Sequence, residues 1–296
     1  MNTKFKGVYA VAVTPFNEDG TFNYKAAKEN LDWLIKNGVH GICVLGATGE
    51  YMSITNEEHK EYVKEIVPYI CNRTSVIVGV TRERPDDVIE LIQNAKNSGA
   101  HAAMVLPPYY CHPAQDEIFS HYKYIMEKVD CPLVIYNNPG SAGIEIEADT
   151  FDKILALKNS LIVKESSGDI TKLTQVLFQA PENTSVFCGC DNMAYESLVT
   201  GAHGWISMLA NVAPRDCVDL FNNIYEEGDF DKGKEIYKRL LPSLTFLENF
   251  PKPVQALKYG LNLKGLNGGS VRKPRLPLTE EEIESVVKTM NFHNIK

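Results

Sequence analysis

The chain has 296 residues, 44% of them hydrophobic and 23% charged, and a formal net charge of −8. That composition suits a globular protein with a large core, and the acidic balance without a basic stripe disfavours nucleic acid or an anionic membrane as partner. No apolar run reaches a membrane span, residues 1–6 carry no signal-peptide core, and seven scattered cysteines read as reduced thiols of a cytoplasmic protein with no zinc site.

Residues 8–13 are an apolar run closed by Thr14-Pro15 and predict a buried strand. Residues 23–37 set Tyr24, Ala27, Leu31, Leu34 and Ile35 on one helical face, and Gly38 stops that helix. Residues 42–45 predict a second strand, running into Gly46-Ala47-Thr48-Gly49-Glu50. Thr55-x-x-Glu58 is a capping box, and the helix behind it carries Tyr62, Val63, Ile66 and Val67 and is expected to stop near Pro68. The alternation continues with a strand at 76–80, a helix from Pro85 to Gly99, a strand at 102–106 and a helix at 115–128. Strands at 133–136, 161–164, 186–188 and 205–207 follow, each succeeded by a helical segment, the second of them capped by Asp169.

Eight strand–helix units in about 225 residues predict the α/β class and a TIM (β/α)8 barrel. Short, continuously apolar strands suit a parallel sheet buried on both faces. A dinucleotide-binding open sheet would show Gly-x-Gly-x-x-Gly after its first strand, and none is present. Residues 1–227 then form the barrel. Residues 228–296 form a C-terminal helical appendage expected to make an oligomer contact, with Gly265–Gly269 as a loop. Three links, Gly38-Val39-His40-Gly41, Gly99-Ala100-His101-Ala102 and Gly201-Ala202-His203-Gly204, join helix ends to strand starts. They fall on the N-terminal face of a barrel, so their histidines are read as structural.

Active sites of such barrels lie at the C-terminal strand ends. Thr48 follows strand two, Tyr110 strand four, Tyr136 ends strand five, Lys164 strand six, Gly189 and Asp191 follow strand seven, and Ser207 ends strand eight. Asp191 also suits a helix N-cap. Lys164 closes the apolar run Leu161-Ile162-Val163 and precedes the polar turn Glu165-Ser166-Ser167-Gly168-Asp169. Desolvation there favours the neutral amine, a nucleophile that forms Schiff bases with carbonyl carbon. A lysine, two tyrosines and a small polar turn on one mouth point to such a site.

The motifs Gly46-Ala47-Thr48-Gly49-Glu50, Leu106-Pro107-Pro108-Tyr109-Tyr110, Tyr136-Asn137-Asn138-Pro139, Val163-Lys164-Glu165-Ser166-Ser167-Gly168-Asp169 and Gly204-Trp205-Ile206-Ser207 through Asn211 are spread along the chain. In them it resembles the dihydrodipicolinate synthase/N-acetylneuraminate lyase family of pyruvate-dependent class I aldolases. The resemblance implies an imine between Lys164 and pyruvate, with no metal or other cofactor. It implies a carboxylate site at Ala47 and Thr48, Tyr136 as general acid/base, and Tyr110 reaching into a neighbouring subunit's site. Gly189 and Ile206 would line the pocket, and the assembly would be a homotetramer built as a dimer of dimers. The synthases of this family usually have a threonine where Ala47 stands, linking the two tyrosines. They also carry an arginine for the aldehyde's carboxylate after Tyr-Asn-x-Pro, where this chain has Gly140-Ser141-Ala142-Gly143. A serine does not replace that fork. Ser141, Asp191, Asn192 and Ser207 instead suit a hydroxylated substrate.

The leading expectation is therefore a Schiff-base lyase that cleaves or forms a 2-keto-3-deoxy hydroxy-keto acid from pyruvate and an aldehyde. The alternatives are a dihydrodipicolinate synthase condensing pyruvate with aspartate semialdehyde, a 2-keto-acid dehydratase or deaminase, and a non-catalytic keto-acid binder.

Overall fold

A computed structural model describes residues 5–157 and 161–290; the expected absence of a signal-peptide core falls mostly outside them. Eight strands, β1 (Gly7–Val11), β2 (Gly41–Val44), β3 (Ser75–Gly79), β4 (Ala102–Val105), β5 (Leu133–Asn137), β6 (Ile162–Glu165), β7 (Ser185–Cys188) and β8 (Gly204–Ser207), close in sequence order into one barrel. Every pair is parallel, including β1 with β8. Nearly every strand residue is buried, because the barrel interior covers one face and the helices cover the other. Tyr9, Val11, Cys43, Ile77, Met104, Phe187 and Ile206 belong to the inner cluster, while their strand neighbours pack against helices.

The helices between strands are α1 (Tyr24–Lys36), α2 (Asn56–Ile70), α3 (Pro85–Asn97), α4 (Gln115–Lys128), α5 (Pro139–Ala142), α6 (Ala148–Leu155), α7 (Ile170–Gln179) and α8 (Ala194–Thr200). After β8 come α9 (Pro214–Phe221), α10 (Phe230–Asn249), α11 (Pro253–Leu263) and α12 (Glu280–Met290). The capping box at Thr55 and Glu58 is formed, and the Asp169 carboxylate caps α7. The expected stop at Pro68 is corrected: α2 runs through it to Ile70. Pro68 and Lys64 are both exposed, so the carbonyl that Pro68 cannot serve faces water. No helix among the described residues is long and apolar enough to cross a membrane.

The three histidine links share one device. The Nδ1 atoms of His40, His101 and His203 accept the N–H groups of Val8, Val76 and Val186 at 3.1, 3.0 and 3.1 Å. Their own N–H groups donate to the carbonyls of those same valines. Each imidazole thus clamps the start of the preceding strand, the structural task expected of that face.

The appendage does not stand apart from the barrel. Ser270 bridges to Phe16 just after β1, and Lys258 of α11 reaches the Thr14 carbonyl at 2.8 Å. Residues C-terminal to the barrel therefore come back over its C-terminal mouth.

Candidate active site

At that mouth lies a cavity of about 490 Å³, a size suited to a small molecule. Lys164, Tyr136, Ala47, Thr48, Gly189, Ser141 and Asn192 all contribute to its wall. Strand register explains the central pair: Tyr136 of β5 sits beside Lys164 of β6, so both side chains leave the sheet on the same face. The Lys164 Nζ lies 4.2 Å from the Tyr136 ring centroid, and both residues are buried. Gly189 is required by close approach: a Cβ there would lie 1.9 Å from the Ser166 Oγ and 2.7 Å from the Lys164 Cε.

Burial is the largest influence on the Lys164 amine and pulls its pKa down. Tyr136 and Cys43, in their anionic forms, pull it up, and the net direction is up. The lowering expected from desolvation is thus real but outweighed. Cys43 is itself pushed up to about 12 by burial, so near neutral pH it is an uncharged thiol and adds no negative charge beside Lys164. The Lys164 amine attacks a carbonyl only in its unprotonated form.

The turn after β2 is held at both ends in left-handed backbone, Leu45 at φ 54° and Glu50 at φ 60°. Strain of this kind persists where surroundings impose it, often at functional sites. Glu50 is locked by Lys258, whose Nζ is 2.6 Å from its Oε1, and by the Arg272 N–H on its Oε2. Within the turn the amides of Ala47 and Thr48 have no acceptor among the described residues. Adjacent free amides make a concavity for an anion. The Tyr136 hydroxyl accepts a hydrogen bond from the Asn138 Nδ2 at 2.7 Å. Asn138 thus gives the phenol a polar partner where Ala47 can give none.

Three expected substrate contacts are corrected. The Asp191 carboxylate accepts from the Trp205 Nε1 at 2.9 Å and from the N–H groups of Met208 and Leu209 at 3.1 and 2.7 Å. It caps the 3-10 turn at Leu209–Asn211, not the start of α8, and is absent from the cavity wall. Ser207 is buried on the helix side of β8, where its Oγ accepts the Ala210 N–H. Ile206 packs in the inner cluster of the barrel without reaching the cavity wall. Tyr110 lies outside the cavity and is 84% exposed; Glu83 accepts its backbone N–H.

The appendage supplies cavity residues that the sequence reading missed. Leu247 and Glu248 of α10, Pro253 and Val254 of α11, and Arg275 all stand in the wall. Glu248 Oε1 accepts the Asp191 N–H at 2.5 Å. Burial, and then the Asp191 charge, push Glu248 up to about 7; burial pushes Asp191 up to about 6.

These shifts have a sign in stability. Both carboxyls titrate above their unfolded values of about 4. Their favourable contribution is therefore complete below that value and lost as pH rises through the folded pKa values. The thermal midpoint of Glu248→Gln, relative to wild type, is expected to rise between about pH 5 and pH 8. Calorimetry at several pH values checks this; a difference that does not change with pH removes the argument.

The profile of the dihydrodipicolinate synthetase family matches residues 4–292. The chain belongs to that family. A 4-hydroxy-tetrahydrodipicolinate synthase of Methanothrix thermoacetophila is 33% identical over 280 residues, covering 94% of this chain and 93% of that protein. The enzyme of the same name from Neisseria meningitidis is 33% identical over 275 residues, covering 93% and 94%. The crystal structure of dihydrodipicolinate synthase from Aquifex aeolicus superposes with a TM-score of 0.93 at 29% identity, over 98% of this chain and 99% of that one. Family membership and the closed barrel bear out the expected fold and an enzyme of the aldolase–lyase type.

Proposed function

We propose that this enzyme joins pyruvate to an aldehyde, or splits the corresponding hydroxy-keto acid, through an imine on Lys164. The observation that carries the reading is a buried lysine amine over the Tyr136 ring, in one cavity with the free amides of Ala47 and Thr48. The Lys164 amine adds to the ketone carbon and water leaves. The amides and Thr48 hold the keto acid's carboxylate. Tyr136, its hydroxyl held by the Asn138 Nδ2, passes protons to and from the imine and the aldol oxygen. The protonated imine serves as the electron sink, so the scheme calls on no metal or cofactor.

Ser141 and Asn192 in the wall suit hydroxyl groups on a product of the 2-keto-3-deoxy type. The second reading, a 4-hydroxy-tetrahydrodipicolinate synthase, is favoured by the names of the relatives at 33% identity. Tyr110, bare on the single chain, would enter a neighbouring subunit's site in a homotetramer built as a dimer of dimers. The enzyme would work in the cytoplasm.

Incubation with pyruvate and borohydride should leave a reduced three-carbon adduct on the peptide that carries Lys164, read by mass spectrometry. An unmodified Lys164 after borohydride would sink the proposal.

A further inference from the structure

Besides Lys164, the cavity wall among the described residues holds one cation, and it comes from the appendage rather than from the segment after Pro139. Lys164, Glu248 and Arg275 are the charged side chains in the cavity wall. Lys164 is committed to the imine, and Glu248 is turned to the Asp191 N–H. Arg275 is half-buried, and among the described residues no carboxylate or carbonyl lies within hydrogen-bond reach of its guanidinium.

The base of Arg275 is nevertheless held firmly. Its N–H donates to the Arg272 carbonyl at 3.0 Å. The Arg272 guanidinium in turn donates to both Glu58 oxygens at 2.8 and 2.9 Å, to the Ser53 carbonyl at 3.0 Å and to the Gly20 carbonyl at 2.8 Å. Arg275 thus stands in the cavity wall on a stapled segment, with the donors of its planar fork unspent among the described residues. A partly desolvated guanidinium without a partner favours an arriving anion, and its geometry matches a carboxylate in two parallel hydrogen bonds. The keto acid's own carboxylate already has the Ala47 and Thr48 amides. The spare cation is therefore available to the other reactant.

We propose that Arg275 determines aldehyde specificity: it receives a carboxylate carried at the end of the aldehyde remote from its carbonyl. The inference rests on the Schiff-base reading above. It restores, from a different part of the chain, a charge that Gly140–Gly143 lacks. It also narrows the second reactant to an acidic aldehyde over a neutral hydroxyaldehyde.

The test measures condensation of pyruvate with aspartate semialdehyde, succinic semialdehyde, glyceraldehyde and glyceraldehyde 3-phosphate, in wild type, Arg275→Met, Arg275→Lys and Lys273→Met. Wild type is expected to prefer a carboxylate-bearing aldehyde. Arg275→Met should reduce that preference by about a hundredfold in kcat/KM. Arg275→Lys should recover part of it, since it keeps the charge and loses the fork. Lys273→Met, which removes a cation outside the cavity wall, should leave the preference intact. The inference is overturned by a preference for the neutral or the phosphorylated aldehyde, by no turnover of either carboxylate-bearing aldehyde, or by an unchanged preference in Arg275→Met. It is also overturned if Arg275→Met raises the pyruvate concentration needed for half-maximal trapping as much as it impairs condensation, because the cation would then serve the keto acid. Trapping in wild type separates the two levels. An adduct on Lys164 without acidic-aldehyde preference removes only the role of Arg275; no adduct removes both.

Discussion

Lys164→Ala is expected to lower kcat/KM by about ten-thousandfold or more, the scale seen when a covalent nucleophile is removed. It should also abolish the borohydride adduct. No other group in the cavity wall is a primary amine, so no neighbour can take over. Lys164→Arg should fail as completely, because a guanidinium does not lose its proton. The informative control is the other buried lysine. Lys258 is drawn down to about 8 by burial, against the opposing pull of Glu50. By pKa alone it looks the better nucleophile. Its ammonium, however, is enclosed by Glu50, the Thr14 carbonyl and the Ser270 carbonyl, and it does not stand in the wall of this cavity. A pyruvate adduct mapped to Lys258 would overturn the assignment of the site; one confined to Lys164 supports it. Pyruvate released from a hydroxy-keto acid, or consumed in condensation, gives the rate.

The second large effect concerns stability. Lys258 and Glu50 form an ion pair with side chains 3% and 0% exposed. Breaking a buried pair by removing one partner typically costs about 3–5 kcal/mol, since the survivor is left charged and undersolvated. Lys258→Met should therefore lower the thermal midpoint by roughly 5–8 °C, at an unfolding entropy of about 2.1 cal/mol/K per residue over a chain of this length. Adding Glu50→Gln removes the orphaned charge and should recover much of that loss. Because Glu50 fixes the strained end of the 46–49 turn, Lys258→Met should also raise the KM for pyruvate. A melting temperature within a degree or two of wild type would show that the pair contributes little.

What the sequence revealed, and what it hid, follows from pattern. Lys164 stood out because an ammonium at the end of Leu161-Ile162-Val163 breaks an apolar run. The register then put Tyr136 beside it. The strand–helix alternation revealed the barrel because each helix kept its own apolar stripe. Ser207 and Asp191 were misread for a common reason. In a strand buried on both faces, alternation of polarity no longer tells inside from outside, so Ser207 was assigned to the mouth when it packs under α9. Asp191 suits a local cap, but its acceptors are filled by N–H groups 14 to 18 residues away in sequence, on Trp205, Met208 and Leu209. Glu248 did carry a signal: it is a carboxylate four residues after Leu244 and next to Leu247, on the buried side of α10. Arg275 carried none. It lies in an irregular segment whose placement depends on Arg272 gripping Glu58, a contact spanning 214 residues.

The return of the appendage over the mouth has a consequence for biosynthesis. A nascent chain that has emerged only as far as β8 already owns its lysine, its phenol and its strained turn. It lacks Leu247, Glu248, Val254 and Arg275, and Glu50 still awaits Lys258. The wall around the lysine is therefore closed only after residues through Arg275 have emerged from the ribosome.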